Sequence, residues 1–366
     1  MITNENLQFY KENGYLIIHE FLSSEKVDEL SSKYDALRIR LANSASIKIS
    51  DYQEEISQVR DIWKYEEAFK KLILDDEIAQ TAPLFFEDNS CRLLHDHIIN
   101  KPLGNNGTVP WHQDYTYWPI DNPNGLSFWM PFSDLDENSG VLEVVSKSHL
   151  WGEEAPIDFI NDKKDFTNYD VKHLTANKGD LVILNALAWH RTSENTSVKE
   201  RKAYIVLWIP SNSKYAPKHA CWHPVNDNIT VKENEELNND WFPVIGNIKS
   251  RSKIYKYIDN SSTENMDTIT MYNASKVARV FLQKHLNIDN DVWHFLYNEK
   301  NRSNAIQILL NKFNLNQAIT NDLDKIILSM SINGLAYQNH RARNVYNKSY
   351  VNFKEIFKDE LTKAEK

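Results

Sequence analysis

The sequence of 366 residues predicts a mainly β protein: an antiparallel double-sheet jelly roll flanked by helices, with a helical extension at the C-terminal end. Three observations carry this. Short β-compatible runs cluster at 93–99, 126–132, 141–145, 181–184 and 203–209, with turn signals between them. Six of the nine glycines (Gly104, Gly107, Gly125, Gly140, Gly152 and Gly179) fall in the same stretch, where tight turns demand positive φ. Helical spacing dominates on both sides of it.

Residues 4–12 read as a helix broken by Gly14, and residues 15–18 as a short strand. Ser23-Ser24 offers an N-cap for a helix with Val27, Leu30, Tyr34, Leu37 and Leu41 along one stripe. The pattern stays mostly helical to about Phe86, and the β core then spans about 91–210. Beyond Pro210 the chain is irregular and rich in Asn, Pro and Lys, with a joint at Ser261-Ser262-Thr263. Helical spacing returns at 277–286, 292–313 and 317–332. The expected organisation is a domain over 1–262 and a helical extension over 263–366. Amphipathic stripes usually mean packing. For the extension, a lid, a self-association surface or a docking site for a carrier-bound substrate are the functional alternatives.

Hydrophobic residues make up 41% of the chain and aromatics 11%, enough for a sizeable core. The net charge of −9 offers no basic surface for nucleic acid or an anionic membrane. Two cysteines, Cys91 and Cys221, cannot build a disulfide framework, and no CxxC pair is present to hold zinc. The first 18 residues lack a basic stretch followed by an apolar one, and no run of 18 apolar residues occurs. The expected setting is reduced and cytoplasmic.

The candidate site starts at His112-Gln113-Asp114. In an extended segment side chains alternate, so His112 and Asp114 face one way and can reach one metal ion. Alone the step means little: 12 His and 51 Asp plus Glu in 366 residues produce roughly 1.7 such steps by chance. Two further residues strengthen it. His190 follows the 181–184 strand, and Arg201 opens another on whose apolar face lie Ala203, Ile205, Leu207 and Ile209. An arginine directed into an apolar interior is costly unless an anion meets it. Two histidines and a carboxylate with open positions make the facial triad of non-haem Fe(II) oxygenases. A guanidinium fork suits an acidic cosubstrate. A zinc or manganese hydrolase using the same triad, and a non-catalytic β-domain binding module, remain the rival readings.

Motif order then adds a resemblance. Ile98-Ile99-Asn100-Lys101-Pro102, His112-Gln113-Asp114, Asn138-Ser139-Gly140-Val141-Leu142 with Ser148-His149, His190-x-Thr192-x-x-Asn195 and Arg201-Lys202-Ala203 together resemble the phytanoyl-CoA dioxygenase family. The resemblance covers roughly residues 8–230. It implies a double-stranded β-helix, cupin-like, carrying an Fe(II)- and 2-oxoglutarate-dependent oxygenase that uses O2 and releases succinate and CO2. It also implies His112, Asp114 and His190 as iron ligands. Arg201 would hold the distal carboxylate of 2-oxoglutarate, helped by Thr192, with Lys101 and Trp129 lining the cosubstrate pocket. Halogenating relatives lack the carboxylate that Asp114 supplies, so hydroxylation, or another oxidation without halide, is the expected outcome. One departure stands out: the family commonly has Pro-Gly before the Ser-His step, where this chain has Ser146-Lys147.

His97, which shares a strand face with His95, Ile99 and Lys101, is a candidate for substrate contact, as are Gln113 and Tyr117. Two hydrogen-bonded strand histidines are the plainer reading of His95 and His97. A second metal there is weaker still. Trp111, Trp118 and Trp129, with Tyr115 and Tyr117, crowd the metal motif, as core or as the wall of a pocket for an apolar or planar substrate. The expected partner is a small molecule, leaning to a specialised metabolite. A carrier protein and self-association are left open.

Overall fold

A computed structural model describes residues 2–44, 57–101, 108–154, 164–217, 224–238, 240–246, 292–312, 317–321, 324 and 327–328. Cys221, Gly104, Gly107, the 261–263 joint with the boundary beside it, the 277–286 helix and half of 317–332 lie outside these residues.

The chain opens with α1 (Asn4–Asn13), capped by Thr3, whose hydroxyl accepts from the Asn6 N–H. Gly14 ends it at φ 80° and ψ 5°, the left-handed conformation that lets its N–H reach the Tyr10 carbonyl. Then come β1 (Tyr15–Ile18) and α2 (Ser24–Ser44), whose stripe Val27, Leu30, Tyr34 and Leu37 is fully buried, as its spacing predicts. The mostly helical run expected up to about Phe86 also contains a strand. Residues Ser57–Arg60 form β2, too short for any periodicity to announce, before α3 (Glu67–Leu74) and α4 (Glu77–Thr81).

The β region comprises β3 (Ser90–Lys101), β4 (Val109–His112), β5 (Leu126–Pro131), β6 (Leu142–Val145), β7 (Val171–Leu174), β8 (Leu181–Asn185), β9 (His190–Thr192) and β10 (Arg201–Pro210), followed by β11 (Val244–Gly246). They make two antiparallel sheets. The larger runs β1-β8-β5-β10-β3-β11, with β2 also on β3, and the smaller runs β4-β9-β6-β7. This is the jelly-roll arrangement that the sequence predicts, and beyond it stand α5 (Val292–Tyr297) and α6 (Glu299–Lys312). Among the described residues, no helix is long and apolar enough to cross a membrane.

Both faces of the larger sheet are covered, so its central strands read as near-continuous apolar runs. Along β10, Tyr204, Val206 and Trp208 pack with Tyr34, Leu72 and Phe69 beneath the helices. Ala203, Ile205, Leu207 and Ile209 point the other way, into the space between the sheets. The pleat thereby carries Arg201 into that inner space. Lys147 stands at φ 64°, ψ 4°, a left-handed position that glycine occupies without penalty, so the departure from Pro-Gly leaves the turn intact at some conformational cost.

Candidate metal and cosubstrate site

The metal triad is built by strands distant in sequence. His112 ends β4 and lies opposite His190, the first residue of β9. The expected extended route from His112 to Asp114 does not hold: Asp114 is in the right-handed helical region (φ −63°, ψ −43°), at the start of a 3-10 turn over Tyr115–Tyr117. The chain turns there because the Tyr115 N–H donates to the Ala186 carbonyl and the Thr116 hydroxyl to that of Gln113. The turn, rather than the pleat, brings Asp114 onto the side of His112.

Oδ1 of Asp114 lies 3.4 Å from Nε2 of His112 and 3.6 Å from Nε2 of His190. One ligand atom from each of the three residues falls within 4.8 Å of the others. Donors at about 2.1 Å from one ion, mutually cis, stand roughly 3 Å apart, so a slight closure fits them to a metal. The opposite ring nitrogens support this. Nδ1 of His112 donates to the Pro110 carbonyl at 2.8 Å, and Nδ1 of His190 to that of Ala188 at 3.0 Å, which leaves each Nε2 lone pair facing Asp114. Ser127 Oγ donates to Oδ2 of Asp114. Burial pushes the Asp114 carboxyl up, but His190, His112 and Ser127 together outweigh it and hold it well below the usual carboxylate range. Burial, then the neighbouring His112, pushes His190 down to about 4, so its ring is neutral and ready to ligate.

A cavity of about 330 Å³ opens over the triad, with His97, Tyr117, Trp118, Trp129, Thr192 and Arg201 among its walls. Arg201 is 2% exposed, and burial alone lowers its guanidinium to about 10. Among the described residues its one hydrogen bond goes to the Gly140 carbonyl at 3.2 Å, and its buried Nε meets no acceptor. The Thr192 hydroxyl is likewise buried and unpartnered. The Arg201 fork lies 5.4 Å from the Trp129 ring centroid. Two orphaned donors on one wall, beside three converging metal ligands, fit an acidic chelator that bridges both.

Lys101 takes a different place from the expected one. It is fully buried but stands behind the cavity wall, its ammonium donating to the Ser193 carbonyl. Burial and the nearby Arg201 lower it to about 7. Gln113 also departs from expectation. Its amide donates to the carbonyls of Gly152 (2.9 Å) and Leu187 (2.7 Å) and accepts from the Glu154 N–H (2.8 Å), on the side away from the cavity. The residue between two metal ligands faces the opposite way, so it secures the loops behind the site rather than touching substrate.

His97 and Tyr117 line the cavity, and so does His95. Nδ1 atoms of the two β3 histidines lie 3.4 Å apart, and the described residues bring no carboxylate or thiol into a metal-binding group with them. Trp111 belongs elsewhere, in a cluster with Val145, Phe166 and Trp189. The sequence reading missed Gln58, Arg60 and Ser127. Ser127 had a usable signal: it is two residues before Trp129 on a buried strand, hence on the same face. Arg60 had none, because β2 is only four residues long.

The phytanoyl-CoA dioxygenase family model matches residues 10–203. The peroxisomal phytanoyl-CoA dioxygenase of Bos taurus is 26% identical over 241 residues, covering 59% of this chain and 71% of the relative. A phytanoyl-CoA dioxygenase domain-containing protein 1 homolog of Dictyostelium discoideum is 25% identical, covering 58% and 92%. Among solved structures, a non-heme alpha-ketoglutarate-dependent carbocyclase of nogalamycin biosynthesis superposes with TM-score 0.55 at 19% identity, over 67% of this chain and 96% of that one. An epimerase of the same biosynthesis superposes at 0.52 with 17% identity, over 66% and 97%. At these identities the structural likeness speaks for the fold.

Proposed function

Because the chain belongs to the phytanoyl-CoA dioxygenase family, we propose that it is an Fe(II)- and 2-oxoglutarate-dependent oxygenase that hydroxylates a small organic molecule, a specialised metabolite being the favoured class. The observation that carries this is the convergence of His112, Asp114 and His190 beside the orphaned donors of Arg201 and Thr192 in one cavity.

In this reading the triad holds Fe(II), and Arg201 with Thr192 holds the distal carboxylate of 2-oxoglutarate against Trp129. Iron supplies the coupling of O2 reduction to decarboxylation of 2-oxoglutarate, giving succinate, CO2 and oxidised substrate. The protein's own groups do the rest. Pro110 and Ala188 carbonyls fix both histidine tautomers, Ser127 fixes the carboxylate, and Lys101 supports the wall behind Arg201. The apolar side chains of Trp118, Leu184, Ile205 and Leu207 exclude water and orient the substrate. Retention of Asp114 supports hydroxylation over halogenation, since the carboxylate fills the position that a halide needs.

The test is anaerobic addition of Fe(II) and then 2-oxoglutarate, followed by succinate assay in air. A visible charge-transfer band is expected, lost in His112→Ala and requiring far more 2-oxoglutarate in Arg201→Ala. No band and no succinate from folded, iron-loaded protein would overturn the reading in favour of a hydrolase or a binding module.

A further inference from the structure

The cavity contains a second buried arginine that the iron and cosubstrate chemistry does not use. Arg60 is 4% exposed and lines the cavity, yet among the described residues no carboxylate pairs with it and no carbonyl accepts from it. It faces His97 across the β2–β3 pair, and Ile205 and then Trp129 continue the same row across the sheet. Arg201, paired with Lys101, sits four residues along the strands from that row. At about 3.4 Å per residue the two arginine rows lie roughly 13 Å apart along the sheet, too far for one small dicarboxylate to occupy both the metal and both forks.

Charge points the same way. Asp114 is the one carboxylate among the described lining residues, set against the two guanidinium groups of Arg60 and Arg201. A divalent metal and a 2-oxoglutarate dianion cancel each other, and histidines that ligate a metal add no charge. One positive charge is left over, at the Arg60 end. A buried cation without a partner is expensive, so a site that keeps one is built to receive an anion.

We propose that Arg60, flanked by Gln58, His95 and His97, is the substrate anchor, and that the substrate is a carboxylate with an apolar or aromatic body. The guanidinium fork matches a planar carboxylate with two parallel hydrogen bonds, while Trp118, Ile99 and Leu207 cover the apolar part. This rests on the oxygenase reading for the role of Arg201. A CoA thioester has no charge at its acyl end, so the proposal favours a free acid over the activated form.

The test is calorimetric titration of 3-phenylpropanoate, its amide and 3-phenylpropyl phosphate into protein loaded with Zn(II) and 2-oxoglutarate. The carboxylate should bind and the neutral amide should not. Arg60→Gln should weaken the carboxylate by at least about thirtyfold, the usual consequence of truncating one partner of a buried charge pair. Its affinity for 2-oxoglutarate should stay at the wild-type level, whereas Arg201→Gln should do the reverse. Equal binding of acid and amide, preference for the phosphate, no binding at all, or loss of 2-oxoglutarate affinity in Arg60→Gln would each overturn the assignment. Arg60→Met adds a readout independent of any ligand: removing the unpaired cation should raise the Tm of the ligand-free protein, and a lowered Tm would show a structural role instead. Failure of wild-type protein to take up metal or 2-oxoglutarate would sink the oxygenase reading, while the Tm comparison would still decide on Arg60.

Discussion

Ser127→Ala removes one oxygen atom from the inner face of β5 and leaves no cavity. In the wild type that hydroxyl donates to Oδ2 of Asp114, so that Oδ1 is the oxygen turned toward both histidines. Ser127 is only 3% exposed, and its hydroxyl is the side-chain donor that β5 brings to this carboxylate. A hydrogen bond to a charged acceptor contributes about 1.5–3 kcal/mol. Part of that is lost equally with and without metal and cancels from the binding constant. What does not cancel is the orientation: without Ser127 the carboxylate can swing, and metal binding must restrain it. Partners that orient a metal ligand are typically worth tenfold to a hundredfold in metal affinity, about 1.4–2.7 kcal/mol. The assay is competition against a chelating fluorophore with Mn(II) or Co(II), with Tm measured alongside. The metal Kd should rise within that range, while 2-oxoglutarate affinity at saturating metal stays unchanged. A wild-type metal Kd in folded Ser127→Ala protein would refute the role given to this hydroxyl.

Other perturbations follow from the same geometry. Asp96 is fully buried, and burial, then the charge of Asp61, raises its carboxyl to about 8. Its folded pKa lies above the unfolded value of about 3.9, so its stabilising contribution is complete below that value and is lost as pH rises toward and through 8. Asp96→Asn keeps an acceptor for the Tyr204 hydroxyl and the Trp63 N–H, so its stability should gain on wild type between pH 5 and 8 by up to about 1.4 kcal/mol per pH unit. A pH-independent difference in Tm would count against it. Gln113→Ala leaves three backbone groups without their partner and should destabilise by about 2–4 kcal/mol in denaturant melts. If instead stability is kept and only substrate binding falls, the supporting role is wrong. Gly125→Ala would place a methyl 2.4 Å from Trp118 Cζ3 and 2.9 Å from the Trp208 carbonyl. Overpacking of this kind costs about 1–3 kcal/mol, and it should shift the fluorescence of the cavity-lining Trp118. An unchanged Tm and spectrum would show that the wall yields freely.

Much of the architecture was legible because it depends on local pattern. The β runs, the α2 stripe and the turn at Gly14 all follow from spacing and φ preference, and the structure places them where those rules do. Arg201 was readable for the same reason: period-two alternation put it on the apolar inner face of β10 before any partner was known. Pairing between strands is another matter. Edge elements such as β2 and β11, of four and three residues, exist because the 12-residue β3 beside them supplies their hydrogen bonds. Arg60 enters the cavity only through its pairing with His97.

The site divides along the same line. From residue types and motif order came the candidates His112, Asp114, His190, Arg201 and Thr192, because chemistry restricts which side chains can hold a metal or a carboxylate, and the structure gathers them at one cavity. Tertiary packing set the directions. Gln113 sits between two ligands in sequence yet turns its back on the cavity, since the turn after it commits its amide to the Gly152 and Leu187 carbonyls. Lys101 lies behind the wall rather than on it. Ser127 acts on Asp114 from a different strand, 13 residues away in sequence. Side-chain type is a local property that composition and spacing can report, whereas direction and partner are fixed by long-range hydrogen bonds that only the folded sheets bring together.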